Sequence, residues 1–336
     1  MNINGEVSIL SCSSYLPEKR IFLKEVESKY YTQDEVCELN YDSIAVEDSL
    51  FPFDMACRAI DMSGDLIEKC KNYFLSVCYT SIHRHGHNVF WSPASSIQRK
   101  YSLGNAIPFN LSQGCNGQLL GIHFSLLQLL NSTQKNAKTL VASADSFSTS
   151  AFSRWISDYG IIYGDGASVI VLGKEKGVAR ILKHHTVTES ALEEMHRNMF
   201  HRNEKDLLPS DYYNVRKTKK EFLEKYGKKF LTEKTKNALT NLKKMIFSDI
   251  KEDDVEYFVL PNLGKKLLQE NYYSIFSFAS EKSTYDFGRK IGHGSGDCGL
   301  GLDFLLKQVA VKPGDKILLL GAGAGFSWSA MLIEKE

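Results

Sequence analysis

Two glycine-rich turns, far apart in the chain, carry side chains suited to nucleophilic and acid–base chemistry. The first lies in residues 110–130, NLSQGCNGQLLGIHFSLLQLL, where small and polar residues lead into an apolar helical run and Cys115 sits at the junction. A thiol there faces the positive end of the helix dipole and backbone N–H groups that lack intrahelical partners, and both favour the nucleophilic thiolate. On spacing alone, a cysteine that is only a small buried hydrophobe fits equally well. The second turn, GHGSGD, holds His293 and, four residues on, Asp297 at the start of another apolar helix. Cys, His and Asp are the residue types of a nucleophile, a base and the group that orients the base. Taken singly, Asp297 also suits an ordinary helix N-cap and His293 a solvated loop histidine.

Two further motifs invite chemistry. HRHGH, residues 83–87, alternates histidines as a metal site would, but no Cys, Asp or Glu cluster accompanies it at ligand spacing, so a polar loop near the active-site mouth is expected and no metal. GAGAGFSW, residues 321–328, has the composition of a dinucleotide loop, yet too few residues follow for a βαβ unit. A tight turn between strands fits better, with backbone N–H groups available for an oxyanion hole. The other six cysteines read as packing residues.

The elements that must hold these turns alternate between strand and helix. EVSILSCSSYLP is a first strand; FDMACRAIDMSG is a helix closed by glycine; YFLSVCYT is a buried strand; SPASSIQRKYSLG opens on the Ser-Pro of a helix start. AIPFNLS, the Cys115 helix and AKTLVASAD follow, then two strands within GDGASVIVLGKEKGVARILKHHT. The expected class is α/β with buried sheets. Residues 186–246 differ: they are Lys-rich with apolar residues at helical intervals and read as amphipathic surface helices. Strand, glycine loop, long helix and closing strands occur once around Cys115 and again around His293. A duplicated fold would bring the two loops together, with one half at 1–175 and the other, carrying the helical insertion, at 176–336.

The chain has 336 residues, 43% hydrophobic and 24% charged, as in ordinary globular proteins. A net charge of +1 gives no field for nucleic acid. No apolar run is long enough to span a bilayer, and the N-terminus lacks the pattern of a signal peptide. Seven cysteines without paired spacing suggest reduced thiols in a cytoplasm.

Four of these stretches together resemble the thiolase superfamily, and within it the ketoacyl-ACP synthase III (KAS III)-like enzymes. SILSCSSYLP resembles the first strand, NLSQGCNGQLLGI the nucleophile loop, GDGASVIVLG the strand closing the first half, and KPGDKILLLGAGAGFSWSAML the C-terminal strands and turn. The resemblance implies a five-layer α-β-α-β-α fold of two similar halves, usually a homodimer, with Cys115 as acyl-accepting nucleophile. It also implies an oxyanion hole from the backbone N–H groups of Cys115 and Ala324, and no cofactor beyond the phosphopantetheine that carries the substrate.

The departures from the family pattern are informative. Ketosynthases of this class carry a histidine in a Pro-His-Gln-Ala-Asn stretch, where this chain has Asn262 in VLPNLGKKLL. They carry an asparagine in a Gly-Asn-x-Ser loop, where this chain has His293. The Trp and Arg that grip coenzyme A are missing from KEVESKYYTQDEVCELN, which favours an acyl- or peptidyl-carrier protein as donor. Lys265, Lys266 and the basic helices at 214–244 are candidates for docking it. A histidine backed by a carboxylate suits a general base for a hydroxyl or amine. The arrangement resembles a KAS III-like subgroup of secondary metabolism that uses Cys–His–Asp for acyl transfer, although that subgroup spaces the Asp about five residues from the His. The expected activity is therefore acyl transfer through Cys115, His293 and Asp297, with Asn262 donating to the bound acyl or acceptor carbonyl. A ketoacyl synthase forming C–C bonds is the alternative, and a non-catalytic partner subunit is a third reading against which an intact Cys115 loop weighs.

Overall fold

The computed structural model describes residues 1–83, 87–88, 90–148, 152–197 and 215–336. Arg84, His85 and Gly86 of the histidine motif, and part of the Lys-rich insertion, lie outside the described residues.

The strands are β1 (Ser8–Tyr15), β2 (Arg20–Phe22), β3 (Ser43–Ala45), β4 (Phe74–Thr80), β5 (Ile107–Leu111), β6 (Lys138–Asp145), β7 (Gly166–Gly173), β8 (Ala179–Thr188), β9 (Val255–Val259), β10 (Lys316–Gly323) and β11 (Ser327–Lys335). Nine of them form one hydrogen-bonded sheet in the order β5-β4-β6-β7-β1-β8-β11-β10-β9, and β2 pairs only with β3. The order repeats. In the first half, β1 runs antiparallel to β7, β7 antiparallel to β6, and β6 parallel to β4. In the second, β8 runs antiparallel to β11, β11 antiparallel to β10, and β10 parallel to β9. Only Ser8↔Arg180 and Ile9↔Ala179 join β1 to β8 where the halves meet. The first half ends on the edge strand β5, which tolerates Pro108 because an edge position can do without a backbone donor.

The apolar runs dictate the layers. Every residue of β6 and β7 is buried, as expected for strands covered on both faces. The helices Gly117–Asn131 and Asp297–Gln308 are apolar on most sides because both lie in the middle layer. Leu119, Ile122, Leu126, Leu302 and Leu305 pack there with strand residues of both halves, such as Val141, Ile170, Leu319 and Ile333. The helices Pro52–Asp61 and Pro93–Lys100 cover the outer face of the first half through Met55, Ile60 and Ile97. Leu239, Leu242 and Ile246 cover that of the second. The result is the five-layer α-β-α-β-α arrangement.

In the Lys-rich segment, Val215–Ile246 comprises two helices that meet at a kink at Gly227, whose φ of 81° and ψ of 155° are not helical. Their apolar positions Phe222, Leu239, Leu242 and Ile246 are buried, so these helices form the outer layer of the second half.

Candidate active site

Cys115 lies in a single 3-10 turn, Gly114–Asn116, immediately before the middle-layer helix Gly117–Asn131. The turn is fixed to the other half of the molecule by amides. Gln113 Nε2 donates to the Ala324 carbonyl at 2.8 Å, and Asn116 Nδ2 donates to the Ser327 and Ser329 hydroxyls, each at 2.9 Å. Gly114 adopts φ 52°, and a Cβ there would come 3.3 Å from the Ala324 nitrogen. Glycine thus lets the nucleophile turn lie against the β10–β11 turn.

His293 is placed by backbone. Its N–H donates to Ile162 O at 2.9 Å, and its carbonyl accepts from Gly164 N at 3.1 Å. The preceding Gly292 has φ 83°, and a Cβ on it would lie 2.7 Å from Gly164 N. The buried imidazole then bridges two groups: Nε2 is 2.8 Å from Cys115 Sγ, and Nδ1 is 2.5 Å from Asp297 Oδ2. Burial alone would lower the pKa of His293. The Cys115 sulfur and the Asp297 carboxylate outweigh burial and raise it well above the ordinary histidine value.

Asp297 is not a capping residue. Gly296 holds the N-cap position, and Asp297 is the first residue of the helix. Its carboxylate accepts from Asn262 N at 2.8 Å, Asn262 Nδ2 at 3.0 Å and Gly294 N at 2.9 Å, besides His293. Four donors satisfy both oxygens, as a buried carboxylate requires.

Asn262 requires a correction. It was expected to donate to a substrate carbonyl. Its Nδ2 instead donates to Gly292 O at 2.9 Å and to Asp297 Oδ1, and its backbone carbonyl accepts from Tyr41 OH at 2.6 Å. With both amide hydrogens committed to buried protein groups, Asn262 braces the loop and the carboxylate.

Cys115 and His293 open onto a cavity of about 530 Å3 whose wall includes Ala324, Tyr163, Trp155, Tyr272 and Trp328. Ion pairs ring it: Glu35–Arg216 at 3.5 Å, Asp158–Lys219 at 2.5 Å, Lys228–Glu270 at 3.3 Å and Lys266–Glu38. Lys266 is therefore an exposed but paired cation, while Lys265 is exposed beside it. The sequence reading missed Asp158, Lys219 and Tyr163, which the fold gathers from distant segments without any local motif. Tyr163 lies beside His293 and its hydroxyl bonds Asp158 Oδ2 at 3.2 Å. Phe90 and Trp91 are not among the cavity's residues. Phe90 is 99% exposed and Trp91 packs edge-on against Phe53. His83 is stacked on Phe147.

Comparison with known proteins bears on the fold. Residues 246–335 match the profile for the C-terminal part of 3-oxoacyl-[acyl-carrier-protein] synthase III. A β-ketoacyl-[acyl-carrier-protein] synthase III of Prochlorococcus marinus is 25% identical, over 98% of this chain and 96% of its own. One of Vibrio parahaemolyticus is also 25% identical, over 97% of this chain and 98% of its own. Among solved structures, the acyltransferase ChlB3 superposes with a TM-score of 0.87 at 24% identity, covering 98% of each chain. The FabH of Pseudomonas aeruginosa does so with 0.75 at 15% identity and the same coverage. The chain thus resembles synthases of the KAS III type over nearly its whole length and shares the fold of the solved structures of that type.

Proposed function

We propose that this protein moves an acyl group from a carrier-protein thioester, through an acyl-enzyme on Cys115, to an oxygen or nitrogen acceptor in secondary-metabolite or lipid biosynthesis. The carrying observation is the contact of His293 Nε2 with Cys115 Sγ on one side and of Nδ1 with Asp297 on the other. In the first step the Cys115 sulfur attacks the thioester carbon. The C–S bond to phosphopantetheine breaks, and the departing thiolate takes a proton from His293. In the second step His293 takes the proton of the acceptor, which attacks the carbonyl of the acyl-enzyme and releases the Cys115 thiolate. Asp297 holds the imidazole throughout. The N–H groups of Cys115 and Ala324 stabilise the oxyanion in each step.

A ketoacyl synthase reading has support in the names of the curated relatives. Condensation requires donors for an enolate, however, and the Asn262 amide is already committed to Asp297 and Gly292. The acyltransferase name of ChlB3 agrees with transfer. We read the working unit as a cytoplasmic homodimer, with seven free thiols supporting the first term. The unpaired edge of β5, with Ile107 62% exposed, supports the second. Among the described residues no helix is long and apolar enough to cross a membrane.

The test is intact-protein mass spectrometry after incubation with a panel of acyl-carrier proteins, with released CO2 measured in parallel. Transfer predicts an acyl adduct that is lost in Cys115→Ala and discharged by an acceptor without CO2. CO2 release from a malonyl donor, coupled to product, would establish condensation instead.

A further inference from the structure

Asp145 is the last residue of β6 and is 1% exposed. It belongs to neither the nucleophile turn nor the His293 loop, yet its carboxylate joins that loop to the cavity wall. Oδ2 accepts from Ser295 N at 2.8 Å, while Oδ1 accepts from Ile82 N at 2.7 Å and His83 N at 2.9 Å. Ile82 lines the cavity, and His83 opens the histidine motif just after β4. Hydroxyls hold the same loop a second time. Thr80 Oγ1 donates to Ser143 Oγ at 2.8 Å, and Ser143 Oγ lies 2.6 Å from Ser295 Oγ. Three consecutive backbone donors around the imidazole thus have acceptors from three different segments: His293 N bonds Ile162 O, Gly294 N bonds Asp297 and Ser295 N bonds Asp145.

A carboxylate is a costly side chain to place here. Burial pushes its pKa up to about 6, against the lowering effect of the His83, Ser295 and Ile82 donors. An asparagine would avoid the buried charge, but its NH2 would meet N–H donors at one end or the other. Only a side chain that accepts at both ends ties the two segments together. We propose that Asp145 is a positioning residue for His293: one carboxylate grips Ser295 N–H and the Ile82–His83 segment, and so fixes the loop that sets the imidazole against Cys115. This rests on the reading of His293 as the base above.

The experiment compares wild type, Asp145→Asn and His293→Ala at a pH well above 6, where the Asp145 carboxyl is ionised. Two rates are read: alkylation of Cys115 by iodoacetamide, followed on its own peptide by mass spectrometry, and acylation of Cys115 by hexanoyl-pantetheine, followed by intact mass. In Asp145→Asn both rates are expected to fall about tenfold or more, toward those of His293→Ala, while the half-saturating thioester concentration stays near wild type. A role in stability alone would lower the melting temperature and leave both rates, read well below the melt, unchanged. That result overturns the proposal, as does a change confined to half-saturation. If Asp145→Asn does not fold, Ser295→Ala carries the test, because it keeps the backbone bond and removes only the hydroxyl link. A several-fold slower alkylation of Cys115 in that variant supports the proposal, and a wild-type rate overturns it. Wild-type rates in His293→Ala would overturn the reading of His293 as base instead.

Discussion

His293 bridges Cys115 and Asp297, and its environment predicts how the site responds to pH. Its pKa is raised in the folded chain by Cys115 and Asp297 against the opposing effect of burial. A group with a raised folded pKa contributes stability that is fully present below its unfolded value, about 6.5, and is lost as pH rises through the folded value. The melting temperature of wild type should therefore exceed that of His293→Ala near pH 6, with the gap closing on the alkaline side. A gap that widens with rising pH would mean that the imidazole is held neutral. Asn262 yields a different test. Replacing it with Ala removes one donor from Asp297 and one from Gly292, while the backbone N–H still bonds Asp297. Loss of such buried bonds costs about 1–3 kcal/mol, so kcat should fall about tenfold or more while KM for the acyl donor stays near wild type. A rise in KM alone would mean that Asn262 touches substrate after all.

The elements that deliver these residues depend on close backbone approach. Gly292 has φ 83°, and any side chain there meets Gly164 within 2.7 Å. Gly292→Ala should destabilise the protein by about 1–3 kcal/mol and lower activity beyond what the melting temperature explains, because the strain moves His293 off Cys115. Thermal melts paired with turnover check this; a variant as stable and active as wild type would contradict it. At this scale much was legible in the sequence. The two glycine loops, the Cys115 helix and the strand runs follow from local pattern, because buried strands and middle-layer helices are apolar wherever they are covered. The role of Asn262 was not legible. Its position in a ketosynthase-like stretch pointed to substrate, and only the tertiary meeting of residues 262, 292 and 297 shows where its amide goes. Asp158, Lys219 and Tyr272 likewise come from segments with no mutual signal in the chain.

Across the whole molecule, the stitching of one half to the other places the sulfur beside the imidazole. Gln113 and Asn116 of the first half bond to Ala324, Ser327 and Ser329 of the second. The same scale governs carrier docking. Lys266 is held by Glu38, which leaves Lys265 as the exposed neighbour without an ion pair among those described. Lys265→Glu should reduce turnover several-fold at low salt with a carrier-protein donor, and the effect should shrink as salt rises. With a pantetheine thioester the same variant should match wild type; an equal loss with both donors would argue against docking at this face.

The most direct measurement is the rate at which a preformed acyl-enzyme discharges to its acceptor, compared between wild type, His293→Ala and Asp297→Asn by quenched-flow mass spectrometry. With His293 as the base that activates the acceptor, discharge in His293→Ala falls on the order of a hundredfold or more, and Asp297→Asn falls in the same direction. Discharge from Cys115 at the wild-type rate in both variants would contradict the account.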